Sequence, residues 1–470
     1  MIDQRMTVPA KHEMPEPGRR WRIAICGGGV AAIESLLALR ALLGLAPHID
    51  LIAPNRCFVY EPLTVAEPFG LAETRLFDLA AVAAEHSAEL HAASLEAVEP
   101  DIRHIALSDG ARLSYDSLIV AVGARRSSWL PGALQFSGAG DVSSFRQVLA
   151  QLERCELSRV AFAAPAEIRW MLPVYELALL TASWIADRHL TGVELAIVTP
   201  EHEPLEDLGP AASRAMRAVL SDRGIRLHVN ERAEKVEPGA LQLAAGDALE
   251  VDRVVAIAKL EGPRVAGLPA DGSGFIQIDD HARVVGLDDV YAAGDATTFP
   301  IKQGGIATQH ADAAVETIAA RLGAGAEPPA FQPVLRAMLL TGVAPIYLRA
   351  VVGREFADQV ELDADPLWWP PTKIAGRYIG PYLAETERRR DSALEHRPVS
   401  SEHPGQVHAG HRRARELALS FALSDANSED YRSALRWLEV VEQLDGALPP
   451  GYDERRDQWR RQADSRVPAV

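Results

Sequence analysis

The sequence predicts an α/β fold: two Rossmann-like dinucleotide-binding domains, the second inserted into the first, followed by a C-terminal cap and a helical tail. Three observations predict it. Short apolar runs alternate with helical patterns from Trp21 to Leu322 at βαβ spacing. A glycine-rich turn, Cys26-Gly27-Gly28-Gly29-Val30-Ala31-Ala32, follows the first run and opens a helix. A second glycine signature, Val290-Tyr291-Ala292-Ala293-Gly294-Asp295-Ala296, lies far downstream and precedes another glycine-led helix.

Taken in order, residues 1–20 read as a loose arm. Trp21–Cys26 is a strand, Val30–Leu45 a helix with an apolar stripe, and Ile49–Ala53 a second strand cut by Pro54. Leu118–Ala124 is a buried strand ending in glycine, and Ser143–Glu156 a helix. A new alternation starts at Val160–Ala164. It continues through a helix at Tyr175–Arg188, a strand at Glu194–Thr199, a helix at Ala211–Arg223 and a strand at Ile225–Val229. Val251–Ala258 and Gly274–Asp279 read as further strands, and the chain returns to the first domain through Val290–Gly294 and a helix at Gly305–Leu322. The expected domains are 20–142 and 259–328 for the first, 143–258 for the insertion and 329–386 for the cap. A charged, histidine-bearing linker follows at 387–413, then a helical hairpin at 414–446. In that hairpin, formed by Ala414–Ser424 and Asp430–Leu444, residues Tyr431, Leu435, Trp437, Leu438 and Val441 make an apolar stripe. The stripe suits packing on the chain's own body, on a dimer mate or on a protein partner.

Composition narrows the partners. Of 470 residues, 48 are Lys or Arg and 65 Asp or Glu, a net charge of -17, which disfavours nucleic acid and anionic membrane as main partners. No apolar run is long enough for a transmembrane helix, which predicts a cytoplasmic protein. Trp368, Trp369, Tyr378 and Tyr382 leave peripheral membrane contact, a quinone tunnel, or packing over the first domain or at a dimer interface open. The three cysteines, Cys26, Cys57 and Cys155, form no CxxC and fit a reducing compartment. His396, His403, His408 and His411 are spread over the polar linker, so no metal site is expected.

The first turn matches G-x-G-x-x-A. Gly27 permits the tight turn, Gly29 lets the backbone approach a pyrophosphate, and Ala32 permits close helix–strand contact. The helix start at Gly28, Val30 and Ala31 adds free N–H groups and positive partial charge. The acidic residue expected on a ribose at the end of the second strand is replaced by Ala53 or Pro54, and Asn55 is the substitute. In the second signature, Asp295 beside Gly294 supplies a carboxylate for ribityl hydroxyls. Lys302-Gln303-Gly304-Gly305 then starts a helix whose positive end suits the negative charge of a reduced flavin.

Further segments carry a resemblance. Tyr115–Ala124, with Ala121 and Gly123 near its end, matches a strand ending in Ala-Thr-Gly, with Val122 replacing Thr. Phe58-Val59-Tyr60-Glu61-Pro62-Leu63 is similar to a segment that passes near a flavin ring. Over residues 20–385 the chain resembles the FAD/NAD(P)-dependent pyridine nucleotide-disulfide oxidoreductase superfamily, in the branch of type II NADH dehydrogenases and sulfide:quinone oxidoreductases. The resemblance implies FAD as cofactor, with Gly27, Gly29, Gly294, Asp295 and Lys302 among its contacts. It implies electron flow from NAD(P)H or another small reductant to a quinone or similar acceptor.

The chain departs from that pattern at two places. The turn Ala163-Ala164-Pro165-Ala166-Glu167-Ile168-Arg169-Trp170, where NADH-using relatives carry a second glycine-rich loop, has no glycine. Glu201, just past the next strand, is the remaining candidate for a nicotinamide ribose. The helix start Trp170–Ala178 resembles the Pro-x-Tyr-Glu-x-Ala segment of the sulfide-oxidising branch, yet no cysteine follows Cys155. The expected function is therefore an FAD-dependent oxidoreductase. Lys302 stabilises the reduced flavin, and Glu176 sits near its reactive face. The alternatives are a sulfide:quinone-like enzyme without redox cysteines, or a non-catalytic flavin-binding regulatory protein.

Overall fold

Strand β1, Arg22–Cys26, is apolar on successive residues rather than alternate ones, so it suits the middle of a sheet covered on both faces. The computed structural model describes residues 19–352, 357–368, 370–386 and 447–465, with isolated positions between 419 and 441. After β1 come helix α1 (Val30–Leu43), β2 (His48–Ile52), β3 (Glu89–His91) and β4 (Ser117–Val120). Next are β5 (Leu134–Phe136), α2 (Val142–Glu153), β6 (Arg159–Ala163), α3 (Leu172–Asp187), β7 (Glu194–Val198), α4 (Pro210–Asp222), β8 (Ile225–His228) and β9 (Arg253–Ile257). The chain closes its main body with β10 (Val290–Ala292), α5 (Gly304–Arg321) and the strands β11 (Val334–Leu339), β12 (Ile346–Val352) and β13 (Ala357–Asp363).

Two parallel five-stranded sheets result. The first has the order β10-β4-β1-β2-β3 and the second β5-β9-β6-β7-β8. Helices α1 and α5 pack together against the first sheet, burying Ile33, Leu36, Val315 and Ile318. In the second, α3 is apolar nearly all round and is buried along most of its length. The chain leaves the first sheet and returns to it through two segments that pair with each other, Arg125–Ser127 antiparallel to Lys259–Glu261. The second sheet recruits β5 from ahead of residue 143.

Several features differ from the sequence expectation, among them the antiparallel pair Cys57–Tyr60 with Arg75–Asp78 and the helix Leu79–Glu85. Gly274–Asp279 makes only single bridges at Ile276 and Ile278, because it lies among turns held by the Asp271 and Asp279 side chains. Two small antiparallel sheets were not expected, at Leu95–Glu99, His104–Leu107 and Arg112–Ser114, and at Ala233–Glu237, Ala240–Leu243 and Ala248–Glu250. Their strands are short, with solvent-facing charged residues that blur the alternation. Strand β3 was also missed, since Glu89-Leu90-His91 carries little apolar signal.

Strands β11–β13 form an antiparallel meander. The chain then runs back to the first domain. There the buried Glu34 of α1 accepts the backbone N–H groups of Tyr378 at 2.9 Å and Ile379 at 2.5 Å, at the start of the helix 379–386. A carboxylate can stay buried there because it caps free helix donors. Trp368 is held inside the cap, its indole N–H donating to Thr372 O at 2.9 Å and its ring edge-on to Tyr347.

Residues 389–470 form a separate unit. Ala434, Leu438 and Trp459 make its small core, with Tyr431 and Leu435 packed against it and a helix, α6, at Tyr452–Ser465. Residues 1–18 of the expected arm, the linker, Trp369, Trp437 and the hairpin as a whole lie outside the described residues. Among the described residues, no helix is long and apolar enough to cross a membrane.

Candidate functional site

In the first sheet the connection from β1 runs to β2 on one side, while β4 lies on the other, so a crevice opens at the carboxyl ends of these strands. A cavity of about 970 Å³ occupies it. Gly27, Gly28, Gly29, Val30, Ala31 and Asn55 line it from one half of the domain, and Gly294, Asp295 and Gly304 from the other. Ala121 and Gly123 form its floor at the end of β4. A second cavity of about 350 Å³ adjoins it, sharing Glu61, Gly123, Arg126, Asp295 and Gly304.

The geometry explains the glycines. Gly27 has φ +141°, and a Cβ there would lie 2.1 Å from the carbonyl oxygen of Ala121. Gly29 caps α1 without any side-chain hydrogen bond, and a Cβ on it would meet nothing within 4 Å. The first turn of α1 therefore presents free N–H groups to open space, as an anion site requires. Ala32 is fully buried and does not line the cavity; its role is close helix packing. Gly305 is likewise buried behind the cavity wall, where its Cβ would meet the Gln303 side chain, and its neighbour Gly304 faces the cleft instead.

Asp295 makes no hydrogen bond or ion pair among the described residues, although it lines both cavities. Burial pushes its carboxyl up, while Lys302 and Arg126 draw it down. Lys302 lies over the Phe275 ring at 3.9 Å and donates to Thr297 O. Burial lowers its ammonium to about 8, against the pull of Asp295. Arg126 holds Glu61 through both guanidinium branches, Nη1 to Oε1 at 3.0 Å.

Glu176 lies on α3 and lines the smaller cavity. It is not free: Lys373 Nζ donates to its Oε2 at 2.6 Å, and Leu340 N–H to its Oε1 at 2.9 Å. Both partners are almost fully buried, with side-chain exposures of 6% for Lys373 and 1% for Glu176. Lys373 also donates to Pro62 O at 3.0 Å, beside the expected ring-proximal segment. Burial raises the Glu176 carboxyl, and Lys373 opposes that rise. Lys373 was missed from sequence. Its only signal was a lone lysine inside an apolar, proline-rich stretch. Phe136, Ile168, Trp170, Leu172, Leu260 and Met338 give the rest of the wall an apolar stretch, with Thr64, Ser137, Gln303 and Arg336 as its polar members.

Other expected residues fall elsewhere. Tyr378 and Tyr382 line neither cavity; Tyr382 hydroxyl donates to Glu85 Oε2 at 3.0 Å. Of the cysteines, Cys26 is buried in β1, Cys155 is exposed, and Cys57 lines only the larger cavity.

The residues fit FAD: a pyrophosphate cradle with exposed helix donors, and an unpartnered carboxylate further along the same cleft. In the inserted domain the features of a usual nicotinamide dinucleotide site are replaced. Its βα turn is latched by Glu167 to Lys259 at 3.0 Å and by Arg169 to Asp207. Its candidate ribose acceptor, Glu201, is buried and spent on Tyr175 hydroxyl, Thr199 hydroxyl and Leu205 N–H.

Comparison with known proteins points to flavin-dependent pyridine nucleotide oxidoreductases. The family profile described as pyridine nucleotide-disulphide oxidoreductase matches residues 176–316. An NADH dehydrogenase-like protein of Mycobacterium tuberculosis is 28% identical over 216 residues, 43% of this chain and 54% of the relative. The match thus spans about half the length of that relative. The ferredoxin reductase component of a chlorobenzene dioxygenase from a Cupriavidus strain is 26% identical over 60% of this chain and 68% of its own. Among solved structures, the sulfide:quinone oxidoreductase of Aquifex aeolicus superposes with a TM-score of 0.64 at 17% identity, covering 73% of this chain and 87% of that one. A ferredoxin reductase from Rhodopseudomonas palustris gives 0.55 at 19% identity, covering 71% and 83%. These two likenesses concern the fold.

Proposed function

Because the chain belongs to the pyridine nucleotide-disulfide oxidoreductase superfamily, we propose that it is an FAD-dependent oxidoreductase that takes electrons from a small reductant and passes them to a quinone or similar flat acceptor. One observation carries the proposal. An uncapped helix start at Gly29 and an orphaned carboxylate at Asp295, distant in sequence, face one continuous cleft. FAD supplies the electron-carrying ring when bound, and the protein supplies position and charge. The N–H groups of α1 hold the diphosphate, and Asp295 accepts from ribityl hydroxyls. Lys302 and the start of α5 place positive charge where negative charge develops on reduction. Lys373 and Glu176 can hold a proton at Nζ or Oε2 beside the apolar wall that admits the acceptor.

The same residues narrow the choice of reductant. The latched turn and the committed Glu201 argue against NADH bound in the usual way. The lack of any cysteine on the smaller cavity argues against thiol-based sulfide chemistry. Anaerobic mixing of the flavin-loaded protein with NADH, NADPH, sulfide and a quinol tests the proposal. Bleaching of the flavin band by one donor, and its recovery on adding a quinone, is the expected result. Failure to bleach with any donor, in protein that holds FAD, would favour a flavin-binding regulatory role.

A further inference from the structure

On the exposed flank of the first sheet, away from both cavities, four metal-ligating side chains converge. His48 and Asp50 lie two residues apart on β2 and so point to one face. Glu89 and His91 do the same on β3, and the sheet register sets Asp50 opposite Glu89. Both imidazole Nε2 atoms turn to the same oxygen, Asp50 Oδ1, at 3.3 Å from His48 and 2.8 Å from His91. Glu89 closes the group, Oε2 lying 3.5 Å from His48 and Oε1 3.9 Å from His91. Among the described residues, His48, Asp50 and Glu89 are the one group of three such donors within 4.8 Å of one another, and His91 adjoins it through Asp50 Oδ1.

We propose that His48, Asp50, Glu89 and His91 form a binding site for one zinc-class divalent cation. Imidazole nitrogen and carboxylate oxygen bind zinc at about 2.0–2.2 Å, so neighbouring donors of a tetrahedral site lie about 3.3–3.6 Å apart. Of the separations to the imidazoles, 3.3 and 3.5 Å fall in that range, while 2.8 Å lies below it and 3.9 Å, to the other oxygen of Glu89, above it. Asp50 is the anchored donor, with no exposed side-chain surface, and the others are reachable: His91 is 19% exposed, His48 37% and Glu89 57%. Arg22 fixes the second oxygen of Asp50, Nε to Oδ2 at 2.7 Å, and touches Oδ1 through Nη2 only at 3.3 Å. Asp50 thus keeps one oxygen turned to the histidines. A bound ion would tie edge strand β3 to β2, where only three residues of β3 hold the ladder. None of the four donors lines either cavity, so the site serves the fold rather than the flavin.

The test is calorimetric titration of zinc chloride into chelator-treated, flavin-loaded full-length protein, with magnesium chloride as the hard-cation control. One zinc per chain and no magnesium is expected. Glu89→Gln, a surface change with no packing role, should weaken binding about tenfold. The double variant His48→Ala, His91→Ala should lose it, with flavin retention reporting that the variant is folded. X-ray absorption of the zinc-loaded wild type should show a four-coordinate nitrogen and oxygen shell with imidazole scattering. The proposal fails if the wild type shows no saturable zinc binding, or if the double variant binds zinc as well as the wild type.

Discussion

Replacing Lys373 with methionine should leave Glu176 buried without its counter-ion. The pair is almost fully enclosed, with Nζ 2.6 Å from Oε2, and solvent cannot compensate for the lost charge. Removing one partner of such a pair costs about 3–5 kcal/mol. At roughly 2 °C per kcal/mol, the lower end for large domains, the melting temperature should fall by roughly 6–10 °C. The sign with pH follows from the carboxylate. Burial already raises Glu176 above its ordinary value, and Lys373 restrains that rise, so its loss raises the carboxyl further. The deficit is therefore full above the folded value of Glu176. It shrinks as pH falls and the carboxyl takes up a proton. Scanning calorimetry of flavin-loaded wild type, Lys373→Met, and the double variant Lys373→Met, Glu176→Gln at pH 8 and pH 5 reads all three effects. The single variant should be the least stable at pH 8 and regain part of the loss at pH 5, while the double variant should recover most of it at both. Equal melting temperatures for the single variant and the wild type at pH 8 would refute the reasoning.

Gly27→Ala should abolish FAD retention, since its Cβ would lie 2.1 Å from Ala121 O at a φ of +141°; the flavin-to-protein absorbance ratio after gel filtration checks it. Burial pushes Glu201 from 4.5 up to about 7, so the wild type should lose about 3 kcal/mol as pH rises through that interval. In Glu201→Gln that dependence should vanish, as denaturant midpoints between pH 4.5 and pH 8 would show. Lys302, lowered to about 8, should give flavin reduction an alkaline limb near that pH, because the ammonium loses its charge there. Stopped-flow reduction of Lys302→Met should be slower and flat across that range.

The parallel sheets were legible because their strands are buried on both faces: Arg22–Cys26 and Arg159–Ala163 read as unbroken apolar runs flanked by turns. The two glycine turns were legible because Gly27 and Gly294 are demanded by backbone geometry that few other residues satisfy. The small antiparallel sheets were not, since strands such as Ala233–Glu237 face solvent and carry charges. Nor were contacts made by long returns of the chain. Lys373 reaches Glu176 across 197 residues, and Tyr378 reaches Glu34 across 344, so no local pattern marks either. The grouping of His48 with His91 depends on the pairing of β2 with β3, and β3 itself had no signal to announce it. Glu176 shows the opposite limit: its place on the cavity was legible, but its pairing with Lys373 was not.

The absorption spectrum of the purified full-length protein after incubation with FAD and gel filtration bears most directly on the cleft as a flavin cradle. A yellow protein carrying one FAD per chain is the predicted result. A colourless protein that lets all added FAD pass would contradict it.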